Sequence, residues 1–283
     1  MSPGVLHSSE GYFEGVGRLR LRYRAWEVQN ARAAILVVHG LGEHSGRYAA
    51  FAETAGAFAC STYALDLRGH GGSEGRRGFV PRFETFLQDV DRFRREVQGL
   101  VDVRVPVFLL GNSMGGLIAL RYLEEYEAPF RGAIIVSPWL ATAVEVPRWK
   151  VLLANALNRM LPALPFNNGI DPAALCHDPA VVEAYRSDPL VHHTITPRLF
   201  FEASRAMGLV FQRSSRIQVP LLFLIAGADL IVQPSKAVSF ARSLAAPDVT
   251  VRVYPEYYHE VLNEPGNAPV LVEIRDWIVQ RAG

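Results

Sequence analysis

The chain has only two cysteines in 283 residues, and neither Cys60 nor Cys176 sits in a CxxC pair. No disulfide framework or thiolate zinc site is therefore indicated. Its eight histidines show no HxxxH or HExxH spacing, which argues against a metal enzyme. Charge of neither sign dominates. The net charge of +1 gives no electrostatic reason to expect nucleic acid or a strongly acidic partner, and the isolated pairs Arg76-Arg77 and Arg94-Arg95 read as solvated faces. Long apolar runs are also missing: the longest, Pro220 to Ala228, is far too short to span a bilayer. The opening MSPGVLHSSEGYF lacks a basic flank followed by an apolar run, so no signal peptide is expected. The expectation is a soluble, cytoplasmic protein that needs no metal or cofactor.

What the chain does have is apolar residues, 49% of the total, at a length that suits one α/β core carrying an insertion. Gly11 to Val16 and Leu19 to Trp26 read as two strands joined at Gly17. Short, nearly continuous apolar strands follow at Ala33–Val38, Cys60–Leu65, Val107–Leu110, Ala133–Val136, Leu221–Ala226 and Val249–Tyr254, a composition that fits a sheet buried on both faces. Helical patterns lie between them at Arg47–Phe58, Phe83–Leu100, Met114–Glu125, Ser235–Ala245 and Pro269–Arg281. This alternation predicts a mostly parallel, doubly wound sheet with its ligand site at the carboxyl ends of the strands.

One stretch breaks the rhythm. From Pro138 to about Ser215 no convincing strand is visible, and eight of the eighteen prolines fall there. Trp149, Leu152, Leu153, Ala156, Leu157, Met160 and Leu161 form one apolar stripe, and Leu199, Ala203, Met207, Val210 and Phe211 a second. The expected organisation is a core of residues 1–137 and 216–283 with a helical cap at 138–215. The first stripe is expected either to pack on the core or to make transient contact with a membrane.

The most informative segment is VFLLGNSMGGLIALRY, Val107 to Tyr122, in which an apolar strand runs through Gly111-Asn112-Ser113-Met114-Gly115 straight into an apolar helix. A G-x-S-x-G pentapeptide arises by chance about 0.1 times in a chain of this length, so its strand-to-helix context is what makes the signal strong. At so tight a turn the serine hydroxyl is pushed out of the sheet, and only glycine fits at positions 111 and 115.

Serine needs a base. His259, on the loop after the last strand, suits that role better than His192 or His193 in the cap, or than His39, His44 and His70, which precede the serine. The base needs an acid to hold its tautomer, and Asp229 follows the strand Leu221–Ala226 directly. Asp248 precedes a strand and lies on the wrong side of the sheet, while Asp171, Asp178 and Asp188 read as turn or helix-cap residues. Oxyanion donors are expected from the backbone N–H of Met114, at its helix start, and of Leu41 in His39-Gly40-Leu41-Gly42, with His39 itself structural.

HGLGEHSGRY (His39–Tyr48), DLRGHGGSEGRRG (Asp66–Gly78), GNSMGG (Gly111–Gly116), AGADLIV (Ala226–Val232) and YYHEVLNE (Tyr257–Glu264) together resemble the monoacylglycerol lipase and lysophospholipase branch of the α/β-hydrolase superfamily. The resemblance implies an α/β-hydrolase fold, a Ser113–Asp229–His259 triad and ester hydrolysis through an acyl-serine intermediate, under a cap that builds an apolar acyl tunnel. It also implies that Glu43 and Arg47 contact the leaving alcohol; an ion pair bracing the loop is the alternative for both. Asn112 departs from the histidine frequent at that position, and Leu262 stands where a further polar residue can line the glycerol end. A serine aminopeptidase or amidase could use the same triad, and a non-catalytic hydrolase-like binding protein could keep the fold.

Overall fold

The computed structural model describes residues 6–127, 129–143 and 147–282. Its elements run β1 (Leu6–Glu14), β2 (Arg20–Val28), β3 (Ala33–Val38), α1 (Ala49–Ala57), β4 (Cys60–Leu65), α2 (Glu84–Gln98), β5 (Val107–Asn112), α3 (Met114–Glu125), β6 (Phe130–Val136), α4 (Arg148–Met160), β7 (Phe166–Asn167), α5 (Pro179–Ser187), β8 (Thr194–Ile195), α6 (Pro197–Arg213), β9 (Leu221–Ala226), α7 (Pro234–Ser243), β10 (Val249–Tyr254) and α8 (Ala268–Ala282).

Eight strands form one sheet in the order β1-β2-β4-β3-β5-β6-β9-β10. β2 is antiparallel to both of its neighbours, and every pairing from β4 to β10 is parallel. All six residues of β3, β4 and β9 are buried, the outcome expected when helices cover both faces. Alternate residues serve alternate faces. Ala34, Leu36, Val38, Phe223 and Ile225 pack with Phe86 and Phe93 of α2 and Ile118 of α3, while Ile35, Val37, Leu222 and Leu224 pack with Phe51 of α1 and Trp277 of α8. This is the α/β-hydrolase fold.

The chain leaves the sheet after β6 and returns at β9. Where the sequence pattern shows no strand, Phe166–Asn167 and Thr194–Ile195 pair as a two-stranded antiparallel ribbon, too short to carry a period-2 signal. Helix α5, also absent from the apolar pattern, begins at Pro179 behind the Asp178 side chain, which accepts the Ala180 N–H at 2.8 Å; Asp171 caps the turn at Pro172–Ala174 in the same way. The two apolar stripes part company. Leu199, Ala203 and Val210 of α6 are buried, whereas on α4 Trp149, Leu152 and Met160 are 63%, 70% and 78% exposed.

Candidate active site

The register of the parallel strands sets one edge of the sheet. Val38 pairs with Gly111, Asn112 with Val136, and Ala226 with Tyr254, so the residues that follow β3, β5, β6, β9 and β10 emerge side by side. At the end of β5 the backbone turns through Ser113, whose φ of 54° and ψ of −116° lie outside the ordinary regions for an L-residue. The strain is held by close approach. A Cβ on Gly111 would stand 2.4 Å from the Gly115 carbonyl oxygen, and one on Gly115 would stand 2.0 Å from that of Val38. Ser113 N–H donates to Val136 O at 2.9 Å, and its own carbonyl accepts from Trp139 N–H at 3.0 Å.

Asp229 and His259 meet. His259 Nδ1 and Asp229 Oδ2 are 2.6 Å apart, with both residues buried. The other carboxylate oxygen of Asp229 accepts the Ile231 and Val232 N–H groups at 2.8 and 2.9 Å, which fixes its plane. Backbone bonds from Gly227 N–H to Tyr254 O at 2.8 Å and from Ala228 N–H to Tyr257 O at 3.1 Å hold the two loops together. With Nδ1 donating to the carboxylate, Nε2 carries the basic lone pair. Burial alone would lower the imidazole pKa, but the Asp229 carboxylate, its hydrogen bond and the more distant Glu260 and Glu43 together hold it above the usual 6.5. Among the described residues no hydrogen bond joins the Ser113 hydroxyl to His259, a contact that apo enzymes often leave long.

The loop after β3 is built from the inside. His39 is fully buried; its Nε2 accepts the Leu67 N–H at 3.0 Å, so the proton sits on Nδ1, which donates to Gly40 O at 2.7 Å. Gly40 O and Leu41 N–H belong to one trans peptide, so the bond that captures the carbonyl turns the amide the opposite way. Leu41 lines the same cavity as Ser113. Burial pushes the His39 pKa down to about 4, so the neutral tautomer persists at ordinary pH. Among the described residues, neither Leu41 N–H nor Met114 N–H is engaged in a hydrogen bond.

Glu43 and Arg47 lie behind this loop. Glu43 Oε1 accepts from Gly40 N–H at 2.6 Å and from Tyr48 Oη and Asn112 Nδ2, both at 3.1 Å. Arg47 reaches Glu43 Oε2 at 3.4 Å and grips both carboxylate oxygens of Glu260, the residue after His259. The ion pair thus ties the loop after β3 to the loop that carries His259. Sequence reasoning passed over Glu260, although it stands beside His259 in YYHEVLNE. It also passed over Glu264, which accepts the N–H groups of Tyr258 at 3.0 Å and His177 at 3.2 Å.

A cavity of about 540 Å³ opens at Ser113 and Leu41, walled by Trp139, Ile170, Ile195, Phe200 and Ile231. An adjoining apolar cavity of about 360 Å³ under α4 shares Ile195 and Phe200 with it and adds Leu153, Leu157 and Phe166. These lining residues come from segments far apart in the chain and share no motif.

The fold and the serine-bearing turn define the class, a hydrolase of the α/β type. The family described as serine aminopeptidase matches residues 29–266. A monoacylglycerol lipase of Mycolicibacterium smegmatis is 34% identical over 96% of this chain and 97% of its own length. The monoglyceride lipase of Homo sapiens is 35% identical over 88% of this chain and 83% of its own length. The crystal structure of Paleococcus ferrophilus monoacylglycerol lipase superposes with a TM-score of 0.82 at 31% identity, covering 98% of this chain and 99% of that one. The chain belongs to the monoacylglycerol lipase branch of the α/β-hydrolase superfamily, as an ester-hydrolysing serine hydrolase. The aminopeptidase alternative is the less supported of the two readings.

Proposed function

We propose that the protein hydrolyses monoacylglycerols and related single-chain acyl esters, with Ser113 as nucleophile, His259 as general base and Asp229 as its orienting acid. The observation that carries this reading is the 2.6 Å bond between Asp229 and His259 at the sheet edge that also bears the strained serine. His259 Nε2 takes the Ser113 proton as Oγ attacks the ester carbonyl carbon. Leu41 N–H and Met114 N–H stabilise the oxyanion, the latter with the helix dipole behind it. The tetrahedral intermediate collapses, the imidazolium gives its proton to the departing alkoxide, and an acyl-serine remains. A water, deprotonated by His259, then attacks the acyl carbon, releasing the fatty acid and restoring Ser113.

Residues 138–215 act in this proposal as the cap, and the two adjoining cavities as the acyl site. Glu43 and Arg47 brace the loops, since their charged ends are occupied by Gly40, Asn112, Tyr48 and Glu260. The test is a panel of p-nitrophenyl esters, monoacylglycerols, lysophospholipids and aminoacyl amides on wild type and Ser113→Ala. Monoacylglycerols and esters are expected to turn over in wild type alone. With each buried methylene contributing about 0.8 kcal/mol, kcat/KM should rise about 4-fold per methylene until the cavities are full. Equal rates from C2 to C12 would count against an acyl site.

The outward apolar face of α4 supports contact with a lipid surface, where the substrate resides. Wild type is expected to co-sediment with phosphatidylcholine vesicles. Leu152→Glu combined with Met160→Glu should stay in the supernatant and keep its rate on a soluble short ester. Wild type remaining in the supernatant would end this part of the proposal.

A further inference from the structure

We propose that Asn112 is a positioning residue for the oxyanion hole, acting through Glu43 on the loop that presents the Leu41 N–H. The inference rests on the reading of Leu41 as an oxyanion donor. Asn112 is the last residue of β5 and immediately precedes Ser113, yet its buried side chain is turned to Glu43, donating from Nδ2 to Oε1 at 3.1 Å. That same oxygen holds the Gly40 N–H at 2.6 Å. One carboxylate oxygen therefore links the shoulder of the nucleophile to the His39–Gly40 peptide, the one before the peptide that carries the Leu41 N–H.

The fit leaves little slack. A Cβ on Gly40 would stand 2.8 Å from Glu43 Oε1 and 3.2 Å from Ser113 Cβ, so the loop rests against both the carboxylate and the nucleophile's own side chain. Glu43 also meets Arg47 at 3.4 Å on its other oxygen. Without the Asn112 donor the carboxylate can turn toward that guanidinium, and the Gly40 N–H moves with it. A primary amide suits this role because it neither gains nor loses a proton over the working pH range. The link between strand and loop is then indifferent to the titration of its neighbours. The charged and titratable groups facing Glu43 are Arg47, Tyr48, Tyr185, His259 and Glu260.

An aspartate at 112 tests this directly. Ionised, it sets a second carboxylate against Glu43; protonated, its hydroxyl can donate to Glu43 as the amide does. Turnover of a soluble short p-nitrophenyl ester is measured across pH for wild type, Asn112→Asp and Asn112→Ala, with Tm recorded at each pH. Asn112→Ala is expected to lose about 10-fold in kcat at every pH, a fraction of what outright loss of an oxyanion donor costs. KM should be unchanged, as for an interaction made in the transition state alone. Asn112→Asp should show a larger loss at alkaline pH, and its rate relative to wild type should recover as pH falls. Wild-type kcat in Asn112→Ala, a kcat loss that merely tracks the unfolded fraction, or a pH-independent ratio for Asn112→Asp would each overturn the proposal. If Asn112→Ala fails to fold, the pH series of Asn112→Asp decides alone. Activity surviving in Ser113→Ala would defeat the catalytic reading and this inference together, whereas a dead Ser113→Ala beside a fully active Asn112→Ala defeats this inference only.

Discussion

Replacing Ser113 by alanine is expected to lower kcat on a p-nitrophenyl ester by on the order of 10⁶-fold, about 8 kcal/mol of transition-state stabilisation. The size follows from the chemistry. On the proposed mechanism no acyl-enzyme can form without Oγ, and the base and the two amide donors are left to act on water alone. The same variant should no longer be labelled by a fluorophosphonate. Its fold should persist, because the φ of 54° at position 113 is imposed by the packing of Gly111 against Gly115 and of Gly115 against Val38, which alanine leaves untouched. Full labelling or full turnover in folded Ser113→Ala would remove the assigned nucleophile.

Asp229→Asn is expected to lower kcat by about 10⁴-fold, since an amide can hold the imidazole but favours the wrong tautomer. It should also move the pH profile. As the proposed base, His259 must be neutral to act, and its pKa lies above 6.5, so wild-type kcat/KM should fall with decreasing pH at a midpoint above 6.5. Burial opposes the charged form, and Asp229 is the foremost group that offsets it. Removing its charge should shift the acid limb to lower pH. Stability follows the same linkage with its own sign. A raised folded-state pKa means that the protonated histidine favours the fold, a contribution fully present below the unfolded value near 6.5 and lost as pH rises through the folded value. A pH–rate profile with the acid midpoint unmoved in Asp229→Asn would show that another group carries the wild-type limb.

The strands of the core were legible because burial on both faces leaves runs such as Ala33–Val38 and Leu221–Ala226 almost without polar residues, and their bounds match the structure. Boundaries moved where exposure dilutes the pattern. β1 begins at Leu6 rather than Gly11, because an edge strand mixes exposed polar residues with few buried ones. The ribbon of β7 and β8 and helix α5 were invisible for a related reason: these short elements between β6 and β9 bury too little to impose a period. The stripe on α4 had the spacing of a packed helix, but spacing shows only that apolar residues share a face; in the structure Leu152 and Met160 are exposed, while Leu153 and Leu157 line the cavity beneath the helix.

What the sequence by itself determined is local: a strand, a strained turn and a helix at Ser113, and an acid and a histidine placed in chain order after the last two core strands. Each depends on neighbours a few residues away, or on which end of a parallel strand a residue follows. Tertiary structure alone decided which side chains serve as supports. Glu43 finds Asn112 across 69 positions, Arg47 finds Glu260 across 213, and the cavity wall joins Leu41, Phe200 and Ile231. Such meetings depend on loop paths and packing between segments that no periodicity or short motif encodes, so only the folded chain brings them into contact.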